Sequence, residues 1–166
     1  AALIVVLSVM NGFQKELRAR ILGVASHVQV TGPDNRLADW QAVAKVAAQD
    51  PRVMASAPFV NAQGLLSAGQ AVRGSVVRGI LPGREDKVAD IGSHMRAGRL
   101  DSLKPGEFNI VLGSELARAL GVLPGEKVAL IAPQGQVTPA GVIPRLKQCT
   151  VAGIFEVGMF EYDAGL

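Results

Sequence analysis

Cysteine occurs once in the 166 residues, at Cys149, so no internal disulfide can staple the fold. Aromatic residues are scarce: five Phe, one Trp and one Tyr. Charged residues make up only 19%, and the Lys and Arg side chains are scattered, with no basic run and no interleaved aromatics to stack on bases. A net charge of +3 and a pI near 9.4 are therefore too mild and too dispersed to argue for nucleic-acid binding. The motifs of nucleotide and acyl chemistry are missing too. There is no Walker A signature, no G-x-G-x-x-G after a strand and no G-x-S-x-G elbow. The glycines of Gly79–Gly83 lack the lysine and helix start that would cradle a phosphate. Neither His27 nor His94 has a metal-ligand neighbour at helical spacing, so no metal site and no cofactor is expected. The acids form no catalytic pair, and Glu156, Glu161 and Asp163 read as a solvated acidic edge. An enzyme is not what this sequence describes.

Apolar residues are what it has in excess: 49% of the chain, mostly Ala, Val, Leu and Ile, with a mean hydropathy of +0.29. The length suits one ordinary domain or two small subdomains. Residues Ala1–Met10 are apolar except for Ser8. They lack the basic start and cleavage site of a signal peptide, and the run falls short of the roughly twenty residues that span a bilayer. Two readings stand: a buried helix or strand, or the last half of a transmembrane helix. From Asn11 the pattern turns amphipathic, with Phe13, Leu17 and Ile21 on one face and Lys15, Glu16, Arg18 and Arg20 on the other. Gly23 is placed to end that helix. A helix leaving lipid for water has this pattern, which favours the second reading.

Further on, His27–Val30 reads as a short strand and Gly32–Asn35 as a turn. Leu37–Gln49 reads as a helix, stopped by Asp50-Pro51. Val53–Leu66 and Ala71–Leu81 read as strands joined by a turn at Ser67–Gln70, and Val88–Met95 as a short helix. Asn109–Leu112 is an expected strand, Ser114 an expected cap for a helix over Glu115–Leu120, and Gly121 its stop. Strands are expected at Lys127–Ala132 and Gln148–Phe155, paired with each other. Cys149 sits in the second, as a buried structural thiol. The fold class is α+β.

Between those last strands, residues 133–144 hold three prolines and two glycines, a poor ladder and a good protruding loop. Yet Val137, Val142 and Ile143 are apolar. The loop either folds back on its own domain or is a rigid arm that offers apolar groups and unpaired backbone to a partner.

Several segments together resemble one family. Leu7-Ser8-Val9-Met10-Asn11-Gly12-Phe13-Gln14-Lys15-Glu16-Leu17 is similar to the end of the first transmembrane helix of LolC/LolE-type permeases, the membrane subunits of the lipoprotein-releasing ABC transporter. Ile21–Val28, Val111–Ala117, Leu120–Val122, Pro124–Glu126 and Gly153–Phe155 continue the resemblance. It implies a MacB-like periplasmic domain with a membrane-near mixed α/β part and a distal β-rich part. On this chain it would divide into the end of the helix (1–23), an incomplete membrane-near unit (24–100) and a distal unit (101–166) carrying the arm (133–144). Returning segments would be missing, and some apolar surface would look orphaned.

By the same resemblance the arm is a hook that captures a LolA-like periplasmic carrier, made of Val137, Thr138, Pro139, Ala140, Gly141, Val142, Ile143 and Pro144. A basic pad beside it would fall at Arg145 and Lys147, with Leu146 standing where a polar residue is expected. Met10 and Phe13 would touch lipoprotein acyl chains, or else serve helix packing. ATP hydrolysis would lie on a separate LolD-like subunit, with a LolE-like partner or a self copy as second permease. The implied place is the bacterial inner membrane, with this region in the periplasm. A MacB-like efflux subunit and a non-transport interaction module are the alternatives.

Overall fold

The computed structural model describes residues 2–24, 26–138 and 141–164, with the backbone alone for 16–24, 133–138, 141–144 and Glu161. Helix α1 spans Ala2–Val24, one residue beyond the glycine expected to end it. Every described side chain on it is exposed, from Leu3 and Ile4 to Phe13. The reading of the first ten residues as a buried element is thereby overturned. Among the described residues, no helix is long and apolar enough to cross a membrane.

His27–Val30 forms no strand. Val28 and Val30 are exposed, and a strand exists only where another pairs with it. Pro33–Asn35 makes the expected turn. Helix α2 is Trp40–Ala47, later than the apolar pattern suggests, because Asp39 caps it by accepting the Ala42 N–H at 3.0 Å.

Strands β1 (Phe59–Ala68) and β2 (Ala71–Ile80) form an antiparallel hairpin, closed by Gly69 at φ 56°, a backbone glycine adopts freely. Residues 53–58, expected as strand, stay outside the ladder, where Pro58 has no N–H to give. Of the short helix expected over Val88–Met95 only a 3-10 turn forms, at Gly92–His94; the α-helical turn lies earlier, at α3 (Pro82–Glu85), where proline suits the first helical position. Met95 opens β3 (Met95–Gly98) instead.

Strand β4 (Asn109–Gly113) leads into α4 (Ser114–Leu120), which Gly121 closes at φ 67°. Ser114 is not the cap: Gly113 holds that position, and the Ser114 hydroxyl is buried without a partner among the described residues. A Cβ at Gly113 would collide with the Asp163 carbonyl, so glycine is what lets α5 (Phe160–Asp163) pack there.

Strands β5 (Lys127–Thr138) and β6 (Gly141–Phe155) complete a six-stranded mixed sheet in the order β2-β1-β5-β6-β3, with β4 parallel to β6. The sheet draws on both sides of the expected 100/101 boundary: β1 pairs with β5 through Leu65, Leu66 and Ser67. One sheet face carries the main core, where Leu66, Val128, Cys149 and Val151 meet Leu116, Ala117 and Leu120 of α4. A smaller cluster joins Val111, Phe155 and Val157. The architecture is α+β, as expected.

Two buried carboxylates, Asp163 and Glu85, are not marked by the residue pattern. Asp163 is buried, not part of a solvated edge; it accepts the N–H groups of Val157 at 2.7 Å and Gly158 at 2.9 Å and so ties down the turn after β6. Its expected companion Glu156 pairs with Arg96 at 2.5 Å, and the Glu161 side chain lies outside the described residues. Glu85 on α3 is 1% exposed and holds Arg78 of β2 at 2.9 Å, while the Arg78 guanidinium stacks over Phe59. Removing one partner strands the other charge in the interior. Arg78→Met should therefore cost about 3 kcal/mol in denaturant unfolding, and the double change Arg78→Met with Glu85→Met should cost less than the single one.

Candidate functional site

The segment whose prolines read as a loop, and which the resemblance made a hairpin arm, is a two-stranded arm. The β5–β6 ladder runs from Lys127 opposite Thr150 to Ala132 opposite Arg145, then resumes at Gln136 opposite Ile143 and ends at Thr138 opposite Gly141. Across the break β5 advances four residues, from Ala132 to Gln136, while β6 advances two, from Arg145 to Ile143. This bulge falls at Pro133 and Pro144, which cannot donate to a ladder. The prolines thus interrupt the pairing without ending it. Of the expected hook, Val137, Thr138, Gly141, Val142, Ile143 and Pro144 lie on the paired strands by their backbone; Pro139 and Ala140 lie outside the described residues.

The root of the arm presents different chemistry on its two faces, because side chains alternate along a strand. Arg145 and Lys147 share the parity of the core residues Cys149 and Val151, but lie farther out and are exposed. Among the described residues neither makes an ion pair. Leu146 points to the opposite face, where it lies beside Ile131 and Leu65 in register. Leu146 is 61% exposed and Leu65 41%, so an apolar row crosses three strands there. The residue that departs from the expected polar pattern thus belongs to an apolar surface of its own.

One residue joins this site without having been foreseen. Phe108, just before β4, has its ring under the Lys147 ammonium, with Nζ 3.6 Å from the ring centroid. It is half exposed and belongs to neither core cluster. Its φ of 49° is left-handed, which costs a residue with a side chain roughly 1–2 kcal/mol. An exposed cation–π contact returns only about 0.5–1 kcal/mol. The buried half of the side chain adds apolar burial to that return. A positive φ is not written in residue type, so no sequence pattern marks it.

Met10 and Phe13 stand on α1, three residues apart and both exposed, on a separate element from the arm. His94 sits in a turn with Nδ1 2.6 Å from the Asp90 carbonyl oxygen. Among the described residues no group of three or more His, Cys, Asp or Glu could hold a metal ion.

Cys149 is buried opposite Val128, as its apolar alternation implies. Burial pushes its thiol up, and the nearby Lys147 charge only partly counters this. The folded state therefore holds the thiol proton more tightly than the unfolded chain. This stabilisation is full below the ordinary thiol range and is lost as pH rises through the higher folded value. Stability should fall on the alkaline side, and Cys149→Ala should remove that part of the decline in pH-resolved denaturation. A thiol reagent at neutral pH should label the protein only across its unfolding transition.

The family of MacB-like periplasmic core domains matches residues 1–165. The chain is 50% identical to the lipoprotein-releasing system transmembrane protein LolC of Neisseria meningitidis serogroup B over 165 residues. It is 46% identical to the LolC of Xylella fastidiosa over 164 residues, and 31% identical to the LolE of Haemophilus influenzae over 171 residues. These matches cover 99%, 99% and 100% of the chain, but only 40%, 40% and 41% of those proteins. The chain spans about two fifths of the length of these curated relatives, and the resemblance to LolC/LolE-type permeases drawn from its motifs is met. By its match over 1–165, the chain belongs to the MacB-like periplasmic core domain family.

Proposed function

We propose that this chain is the periplasmic part of a LolC-type permease subunit of a lipoprotein-releasing ABC transporter, and that its arm hands lipoproteins to a LolA-like carrier. The observation that carries the reading is the paired arm, strand-ordered to Thr138 and Gly141 and based on exposed Arg145 and Lys147, in a chain similar to LolC proteins along its length. A two-stranded ribbon of this kind has outward backbone groups that a partner strand can pair with, and apolar side chains at its end can enter a lipid-binding mouth. Arg145 and Lys147 would steer an acidic carrier surface toward it.

The remaining parts follow from the same reading. Helix α1, apolar and exposed on all sides over its first half, needs lipid or protein around it, which the inner membrane and a second permease subunit would supply. That second subunit is LolE-like or a copy of this one. Met10 and Phe13 would meet lipoprotein acyl chains near the outer end of the helix, thioether and ring both adapting to irregular apolar shapes. ATP hydrolysis is assigned to a separate LolD-like subunit, and this chain carries no catalytic role. Residues 24–100 would lie nearer the membrane and 101–166 farther from it.

The test is calorimetric binding of the detergent-solubilised permease to the LolA-like carrier of the same organism. Val142→Asp combined with Ile143→Asp should weaken binding by about thirtyfold or more, as loss of an interface hot spot does. A permease that does not bind the carrier at all, while folded and assembled, would overturn the hand-off and favour a MacB-like efflux role.

A further inference from the structure

Helix α2 is amphipathic, yet its apolar face is not closed over. Trp40, Val43, Ala44 and Ala47 recur at helical spacing on one side, but no residue of the helix is buried. A helix this short draws its stability from packing such a face. Arg84 of α3 lays its guanidinium over the Trp40 ring, 5.2 Å from the centroid. After α2 the chain turns and runs past α3, leaving a groove of about 310 Å³ lined by Val53, Met54, Arg84 and Lys87 among others. Met54 is 97% exposed there, and Val46 is exposed on the last turn of α2.

The available charge around these apolar groups is of one sign. Arg84, Lys87 and, on α2, Lys45 make no ion pair among the described residues. The acids flanking the same elements are occupied. Asp39 accepts the Ala42 N–H and Asp86 the Gly92 N–H, each at 3.0 Å, while Asp50 holds Arg52 and Glu85 holds Arg78. The backbone N–H groups of Met54, Ala55 and Ser56 make no hydrogen bond among the described residues, so donors border the groove as well as cations. Exposed apolar side chains, a tryptophan and unpaired cations together complement the boundary of a bilayer, where rings sit at headgroup level and cations meet phosphates. The chain itself points to lipid: only residues 25–39 separate α2 from α1, which is apolar and exposed over its first half.

We infer that α2, Met54 and the cations of α3 form a peripheral lipid contact that docks on anionic phospholipid headgroups beside α1. This rests on the reading of residues 24–100 as the membrane-near part and gives that part a footing. Met54, Val46 and the Trp40 ring enter the interface, while Lys45, Arg84 and Lys87 face the phosphates, each adding about a fivefold preference for an anionic surface.

The experiment places the intact permease in nanodiscs whose lipid headgroups carry a nitroxide quencher, with a fluorophore at Met54→Cys or, separately, at Val28→Cys. Both positions are exposed, and Cys149 is buried. In phosphatidylethanolamine with phosphatidylglycerol, both labels should be quenched. In phosphatidylcholine alone, at high salt, or with Arg84→Gln and Lys87→Gln together, the Met54 label should lose most of its quenching while the Val28 label keeps it. Arg84 and Lys87 are exposed, so the double variant should melt with the parent. If Val28 is quenched and Met54 is not, the lipid footing is overturned and the membrane-near reading stands. Met54 quenching that ignores lipid charge and the double variant overturns it equally, since the cations then play no part. If the Val28 label is unquenched as well, both fall.

Discussion

The backbone pairing of β6 reaches in three directions. Its residues 145–150 pair with β5, 150–155 run parallel to β4, and 153–155 meet β3 antiparallel. A strand so placed must satisfy hydrogen bonds on both edges at once, which fixes its register against every neighbour. From its fixed end come Cys149 and Val151, which hold α4 to the sheet; from its free end comes the arm. Core and arm are the two halves of one strand, so the arm inherits the rigidity of the sheet at its root.

The small residues around this strand follow from that crowding. At Gly98 and Gly153 a Cβ would drive into the backbone of the facing strand, since β3 approaches closely there. Gly113 leaves room for α5, and the Asp163 carboxylate then binds the two backbone N–H groups that β6 leaves open as it ends. A chain with few aromatics can fill such spaces, because close backbone approach replaces bulky side chains as the means of packing.

Much of this was legible in the residues. The hairpin of β1 and β2 shows in two alternating runs about a glycine turn, and α4 in an apolar stripe closed by Gly121, because each depends on neighbours in sequence. The errors lie where distant groups decide. Asp163 reads as a surface acid until the turn at Val157 and Gly158 brings two donors to it. One error is local instead: Asp39 moves the start of α2 because a cap outweighs three residues of apolar pattern. In 133–144 the prolines argued correctly against a regular ladder but not against a ladder with a bulge, which depends on the partner strand's register. The proposal that the arm is a hook rests on family resemblance, and Phe108 came only from geometry.

An isolated two-stranded ribbon is marginal in water, since it has one ladder and no packed face. This arm can stay ordered only if its root is anchored, and its root is the stretch where β5 and β6 leave the core at Val128, Leu130 and Cys149. The residues just beyond, Arg145 to Lys147, are constrained by the sheet and yet face solvent. That combination of fixed backbone and exposed side chain suits recognition, since little entropy remains to be lost on binding. The bulge at 133–135 confines the break in pairing to one place: the ladder resumes at Gln136, and the cations stay in register with the core.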